Sequence, residues 1–290
     1  MTRILVTNDD GIHSPGIHLL AETLSALGEV HIVCPDRERS AVSHSFTMHS
    51  PLRVRKVRER VMILDGTPTD CVMFAILGYF EGKPDLVVSG INNGPNLGDD
   101  VIYSGTVAAA HEGKIMGIPS FALSLNCRFS DDGDPAARYL ETAGRFALHL
   151  SRHILAHGLP PSTFLNVNVP NVPWEHLRGV AVTKLGQRLY NDSIIWRKDP
   201  HGKDYFWIGG EEPSWVREPG TDFAALEQNL VSITPLGQSL THFTTMHHLS
   251  GIDFASLGLS QVSPGADSES DHEMAKKYLD GARRNRKGEA

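Results

Sequence analysis

An α/β fold, with a Rossmann-like and mostly parallel sheet flanked by helices, is the architecture this sequence predicts. Three patterns carry that prediction. Short β-branched apolar runs recur at Ile4 to Val6, Val30 to Cys34, Leu86 to Ser89 and Ser120 to Leu125. Helix-period segments separate them, over 15–27 and 105–116. The runs are apolar along nearly their whole length, which suits a sheet covered on both faces.

Taken in order, Ile4 to Val6 is the first strand, and 15–27 a helix with Leu19, Leu20, Leu24 and Leu27 on one side. Val30 to Cys34 is the second strand, and the alternation over 45–64 predicts a β-hairpin beside the main sheet. Leu86 to Ser89, the helix 105–116 and Ser120 to Leu125 continue the α/β pattern. A long helix over 134–156 ends at Gly158-Leu159-Pro160-Pro161, a firm stop. Phe164 to Val169, Val180 to Thr183 and Val231 to Thr234 read as further strands, with core-like sequence at Phe223 to Leu226. Residues 186–215 are rich in aromatics and charge, including Tyr190, Trp196, Tyr205, Phe206 and Trp207. Asp199-Pro200-His201-Gly202 sits midway as a turn, which predicts a projecting β-hairpin. From about residue 263 the chain is polar and charged. The expected organisation is one domain over 1–262, carrying the hairpin insertion, and a flexible C-terminal extension over 263–290.

Bulk properties exclude several classes. A chain of 290 residues with 40% hydrophobic and 21% charged residues buries a substantial core. No apolar run approaches the roughly 18 residues of a membrane span. Strand-like sequence begins at Arg3, which leaves no room for a signal peptide. Cys34, Cys71 and Cys127 are odd in number and far apart, so a reducing cytoplasm is expected rather than a disulfide framework. A net charge of -7 argues against coating a nucleic-acid polymer. It is compatible with a small phosphorylated substrate, because one bound metal ion reverses the local potential.

Ligands of an open parallel sheet bind beyond the carboxyl ends of its strands. Three such ends carry oxygen-rich turns: Thr7-Asn8-Asp9-Asp10-Gly11, Pro35-Asp36-Arg37-Glu38-Arg39-Ser40, and Gly90-Ile91-Asn92-Asn93-Gly94-Pro95-Asn96. Adjacent strand residues point to opposite faces, so Asp9 and Asp10 share an ion only if the chain is already turning at Gly11. Close carboxylates resist joint ionisation, and a hard divalent cation removes that penalty. Oxygen donors of this kind suit Mg²⁺ or Mn²⁺ rather than zinc. Tyr103-Ser104-Gly105-Thr106-Val107-Ala108-Ala109-Ala110 is the expected phosphate site. Ser104 or Thr106 can cap the helix, and its free N–H groups cradle an anion.

These segments resemble the SurE family, the stationary-phase survival phosphatases. The resemblance begins with Asn8-Asp9-Asp10-Gly11-Ile12-His13-Ser14-Pro15-Gly16. It continues through Pro35 to Ser40, Gly66-Thr67-Pro68-Thr69-Asp70-Cys71, Ser89 to Asn96 and Tyr103 to Val107, in order and spacing. Asn166-Val167-Asn168-Val169-Pro170 and Gly220-Thr221-Asp222-Phe223 extend it, so that it covers about residues 2–245. The resemblance implies metal ligands at Asp9, Asp10, Ser40 and Asn92, and phosphate contacts at Asn96, Ser104, Gly105 and Thr106. It implies one divalent ion per subunit, hydrolysis of nucleoside 5′- or 3′-monophosphates with short polyphosphate as a further substrate, and a homodimer or homotetramer. Asp9 or Asp10 then orients or deprotonates the attacking water. An aspartyl-phosphate is disfavoured, because the strand end lacks the Asp-x-Asp spacing of enzymes that form one.

Other features have plainer readings. Thr69 reads as the N-cap of a helix beginning at Asp70. His149, His153 and His157 share a helix face, but they adjoin Phe146, Leu150 and Ile154 and read as solvated or partly buried rather than ligating. Asp36, Arg37 and Arg39 are salt-bridged loop residues or substrate contacts, and the aromatic hairpin is an oligomer contact before a base-stacking platform. Two non-enzymatic alternatives are a receiver-type signalling domain, roughly half this length, and a nucleotide-binding regulator without turnover. Phosphate release from AMP with and without Mg²⁺ or Mn²⁺ separates enzyme from binder.

Overall fold

The computed structural model describes residues 1–127, 138–189, 192–210 and 214–252. The chain divides into two units, Met1–Gln238 and Ser239–Ala290. In the first, the apolar runs become β1 (Arg3–Thr7), β2 (Glu29–Pro35), β3 (Val54–Arg58), β4 (Val61–Leu64), β5 (Leu86–Asn93), β6 (Ser120–Asn126), β7 (Thr163–Pro170) and β8 (Gly179–Val182). Between them lie α1 (Pro15–Leu24), α2 (Pro68–Phe74), α3 (Gly105–Ile115) and α4 (Leu140–His157). Then follow β9 (Arg188–Leu189), β10 (Asp192–Lys198), β11 (Asp204–Gly210), β12 (Ser214–Trp215), α5 (Asp222–Glu227) and β13 (Leu230–Gly237).

One nine-stranded sheet runs in the order β3-β4-β2-β1-β5-β6-β7-β13-β8. Pairing is parallel from β4 through to β7, and antiparallel at β3–β4 and at β7–β13. Alternate residues of β1 explain the two-sided cover. Ile4 and Val6 belong to a core that includes Leu20 and Leu24 of α1 and Ala143 and Ala147 of α4. Leu5 belongs to the opposite core, with Cys71 and Val72 of α2 and Ala109 of α3. Each such buried aliphatic contributes about 1.5–3 kcal/mol. Both cores hold the carboxyl ends of β1, β2 and β5 at one edge.

Several local expectations are corrected. The N-cap of α2 is Thr67, not Thr69: its hydroxyl accepts from Asp70 N at 3.1 Å, while Asp70 Oδ2 accepts from Thr67 N at 2.8 Å. Pro68 takes the first helical position, where its missing N–H costs nothing, so Thr69 lies inside the first turn. The 45–64 hairpin shortens to β3–β4, and β4 joins the main sheet by pairing with β2. Thr47, upstream of it, is held instead by Asp70, through its N–H at 2.8 Å and its hydroxyl at 2.7 Å. β5 continues past Ser89 to Asn93, with its register against β6 shifting between Ser89 and Asn92. Asn92 therefore stands on an irregular strand end rather than in a free loop. α1 stops at Leu24, and Phe223 to Leu226 form part of helix α5. α4 begins at Leu140, and residues 134–137 of the expected helix lie outside the described residues.

β10 and β11 make a two-stranded antiparallel sheet of their own, from Asp192↔Gly210 to Lys198↔Asp204. β9 and β12 pair beside it in sequence. Trp196, Trp207 and Ile208 on this hairpin are exposed. On α4, the His153 and His157 rings stack at 4.4 Å, and His149 lies 6.4 Å from the Trp174 ring. The three cysteines are buried free thiols, and burial pushes Cys34 up to about 12.

The second unit contains α6 (Phe243–Leu249), and the expected tail over 263–290 lies outside the described residues. Among the described residues, no helix is long and apolar enough to cross a membrane.

Candidate active site

Beyond β1 the chain turns as the Asp-Asp-Gly pattern requires. The Asn8 amide, fully buried, donates to Gly11 O at 3.0 Å and accepts from Gly11 N at 3.2 Å. Gly11 has φ of 82°, and a Cβ there would lie 2.7 Å from the Arg37 carbonyl carbon. Only glycine fits that conformation and that approach. The turn lets both neighbouring acids serve one side of the sheet edge.

Asp9 meets the start of α3. Its Oδ2 accepts from Thr106 N at 3.1 Å, and its Oδ1 takes the Thr106 hydroxyl in a short contact. The same hydroxyl oxygen lies 3.1 Å from Asn92 Oδ1, while Asn92 Nδ2 donates to Gly94 O at 2.8 Å. Asp10 Oδ2 accepts from Asn93 N at 3.2 Å. Burial raises the Asp9 carboxyl above its usual range, against the opposing Thr106 hydrogen bonds. Burial, then the adjacent Asp9 charge, pushes Asp10 up to about 7. The Asp9 carboxylate and the Asn92 amide oxygen thus share a single hydroxyl hydrogen, that of Thr106.

That imbalance tests the site for a cation. Asp9 Oδ1, Asn92 Oδ1 and Thr106 Oγ1 bring many lone pairs and one proton, and the two carboxylates suppress each other's ionisation. A hard divalent ion with oxygen preference fits this donor set. Among the described residues no group of three or more His, Cys, Asp or Glu side chains is placed to hold a metal, so neutral oxygens must complete any coordination.

The β2 loop is fastened against this turn. Ile12 N donates to Pro35 O at 3.2 Å, Asp36 N to Leu64 O at 2.7 Å and Arg39 N to Asp9 O at 2.7 Å. Arg39 Nη2 donates to Asp65 O at 2.6 Å, which makes it a loop brace. Ser40 Oγ donates to Glu38 Oε1 at 2.9 Å. Charge on Glu38 also disfavours ionisation of Asp9 and Asp10.

Ser104 is the N-cap of α3, accepting from Val107 N at 3.1 Å and keeping its own hydrogen to donate. A Cβ on Gly105 would fall 2.9 Å from Asp9 Cβ and 3.2 Å from Pro68 Cγ, so backbone and carboxylate approach closely there. The Thr106 amide, an expected phosphate donor, is taken by Asp9 because a helix N-terminus attracts the nearest anion. This leaves the Gly105 amide and the Ser104 hydroxyl at that terminus for a ligand. Asn96 is held by its backbone: its N–H donates to Asn168 Oδ1 at 2.9 Å, and its carbonyl accepts from Asn166 and Asn168. Its Nδ2 donates one hydrogen to Ser124 Oγ at 2.7 Å, and the amide's second hydrogen stays available.

The supporting residues Asn8, Glu38, Asn93, Asn166 and Asn168 had no assigned role in the sequence. Neither had Asp222, whose buried carboxylate accepts from Gly98 N at 2.7 Å, Gly186 N at 2.8 Å and Phe223 N at 2.9 Å. Alternate polar positions on an otherwise apolar strand are the available signal for Asn166 and Asn168.

Comparison with known proteins shows the family. The family model described as Survival protein SurE matches residues 4–192. A 5′-nucleotidase SurE of Geobacter sulfurreducens is 48% identical over 252 residues, 87% of this chain and 94% of that protein. A 5′-nucleotidase SurE of Coxiella burnetii is 47% identical over 247 residues, 85% and 93% of the two chains. The crystal structure of the Sure protein from Aquifex aeolicus superposes with a TM-score of 0.75 at 43% identity, covering 86% of this chain and 98% of that one.

Proposed function

The chain belongs to the SurE family, and from that membership we propose that it is a 5′-nucleotidase, hydrolysing nucleoside monophosphates to nucleoside and phosphate. The observation that carries the reading is the proton-poor oxygen cluster of Asp9, Asn92 and Thr106 beside the amino end of α3. Asp9, Asp10, Ser40 and Asn92 would hold one Mg²⁺ or Mn²⁺ per subunit. When bound, the ion supplies Lewis-acid stabilisation of phosphoryl charge and a more acidic water.

The chain's own residues do the rest. Ser104, Gly105 and Asn96 donate to phosphate oxygens at the positive end of the helix dipole. Thr106 orients Asp9 through both its amide and its hydroxyl. Asp10, steadied at Oδ2 by Asn93 N–H, keeps its other oxygen to orient the attacking water. Water oxygen bonds to phosphorus, the ester P–O bond breaks, and the nucleoside oxygen leaves with a proton. The reading extends to 3′-monophosphates and short polyphosphate as further substrates, to a catalytic domain over 1–262, to a cytoplasmic location, and to a homodimer or homotetramer joined through the aromatic hairpin.

The test is phosphate release from AMP, IMP, 3′-AMP and p-nitrophenyl phosphate with Mg²⁺, Mn²⁺ or EDTA, with mass measured by light scattering. Release from nucleotides that requires a divalent ion is expected. Tight AMP binding without release under every condition would instead favour a regulator.

A further inference from the structure

We propose that Glu38 is a positioning residue for the divalent cation, acting by accepting the hydrogen bond of the Ser40 hydroxyl. The inference rests on the cation reading above and extends it to a residue outside the ligand set.

A serine hydroxyl carries one hydrogen and two lone-pair sites. It can ligate a cation only through a lone pair, so its hydrogen needs an acceptor elsewhere. Ser40 Oγ donates that hydrogen to Glu38 Oε1 at 2.9 Å, which leaves both lone pairs unspent. A carboxylate is the stronger choice of acceptor, because bonds to ionised groups are shorter and about twice as strong as neutral ones. The pair is not left to drift. Pro35 O, Asp36 N and Arg39 N are each bonded to neighbouring segments, the last directly to Asp9 O at 2.7 Å. Gly11 also packs its backbone against Arg37. The backbone on both sides of Glu38 is thus anchored on the loop that touches the acid pair, and the Glu38 and Ser40 side chains are exposed on that loop.

The bland reading is a local turn bond two residues apart in sequence. That reading predicts effects on loop stability and none on cation affinity.

The experiment measures Mn²⁺ binding to the full chain by calorimetry, with no substrate present. Glu38→Gln keeps an acceptor and removes the charge, which weakens its bond to the Ser40 hydroxyl, and is expected to weaken Mn²⁺ binding several-fold. Glu38→Ala removes both, and loss of an outer partner of a metal ligand typically weakens affinity by about 10- to 100-fold. The exposed Glu59, on the turn between β3 and β4, supplies the control: Glu59→Gln removes one charge and should leave Mn²⁺ binding unchanged. If Glu38 acts through Ser40, Glu38→Ala should cost less in a Ser40→Ala background than in the wild type. Melting temperatures in EDTA should match the wild type for both Glu38 variants. Wild-type affinity in Glu38→Ala, or an undiminished effect in the Ser40→Ala background, overturns the proposal, as does a wild type that binds no Mn²⁺. A wild type that binds Mn²⁺ but releases no phosphate from AMP overturns the nucleotidase reading alone.

Discussion

Asn168 grips the peptide backbone of Asn96 at two points, accepting from its N–H and donating to its carbonyl, each at 2.9 Å. The two residues are 72 apart in sequence, and both are buried. Strand β7 thereby sets the position of the segment that follows β5, the same segment that carries Asn92 and the expected phosphate contact. Rigid sheet positions a polar loop here, which is how a parallel sheet builds a site at its edge.

Replacing Asn168 should therefore damage stability and substrate binding together. Asn168→Ala removes two buried hydrogen bonds and strands the Asn96 N–H, at a cost of about 2–4 kcal/mol. Asn168→Asp is the sharper test. Its shape is retained and the acceptor for Asn96 N–H survives, but an anionic oxygen would face the Asn96 carbonyl. Urea unfolding should rank wild type above both variants, and KM for AMP should rise in whatever folded Asp variant is recovered. A fully stable Asp variant with unchanged KM would contradict this role for the clamp.

Gly105 offers a probe of the acid pair from the opposite side. An added Cβ would lie 2.9 Å from Asp9 Cβ and 3.0 Å from Asp9 Oδ2, so Asp9 must move. Alanine is otherwise a better helix former than glycine, and helix α3 should tolerate it. Gly105→Ala is expected to lower the melting temperature modestly, since overpacking a buried contact costs about 1–3 kcal/mol. Turnover should fall by about 10²-fold, the scale of an ångström-level misplacement. Calorimetry and AMP hydrolysis on one preparation would separate the two effects.

Much of this arrangement is legible in the sequence, and the reasons are local. Ile4 to Val6 followed by Asp9-Asp10-Gly11 states a strand and the turn after it within nine residues. Ser104-Gly105-Thr106 before three alanines likewise states a helix start. The cap of α2 is less legible, because Thr67 and Thr69 flank the proline and only its fit to the first helical position decides between them. Glu38 lies in a run of alternating charge, where nothing in sequence says which side chain bonds to Ser40. Asn166 and Asn168 are visibly on one face of a strand, yet the backbone they hold is supplied by a distant segment. Long-range hydrogen bonding of that kind has no sequence period, and the register shift in β5 that presents Asn92 has none either.

Asp10 and Thr106 should separate in severity. Asp10→Asn removes a charge that no neighbour replaces, and should reduce AMP hydrolysis by about 10³-fold or more, the upper range for loss of one electrostatic group. Thr106→Ala removes the hydroxyl shared between Asp9 and Asn92 but leaves the Thr106 amide bond to Asp9. A fall of about 10- to 10²-fold is expected. In parallel, saturating Mn²⁺ should raise the wild-type melting temperature, since a ligand at 100 times its Kd adds about 2.7 kcal/mol. Asp10→Asn should lose that shift. Unchanged hydrolysis after Asp10→Asn would refute the assignment.

His111 should give the fold a defined acid sensitivity. Its ring stacks on Phe164 at 4.8 Å, stands 5.0 Å from the His44 ring, and meets Gln238 O at 3.2 Å through Nε2. Burial, then the neighbouring His44, lowers its proton affinity below the ordinary value of 6.5, against the opposing pull of Gln238 O and Glu112. Glu112 also pairs with His44 at 2.9 Å, so both charged neighbours belong to the same cluster. The folded state therefore favours the neutral ring more than the unfolded chain does. Such a group's contribution is complete above 6.5 and is lost as pH falls through its lower folded value. Stability measured by urea should decline between pH 7.5 and 5, and His111→Phe, which keeps the aromatic stack, should decline less steeply. The comparison is one of slopes, so the lost bond to Gln238 alters the intercept only. Equal slopes would show that the ring titrates alike in both states and that its burial has no energetic consequence.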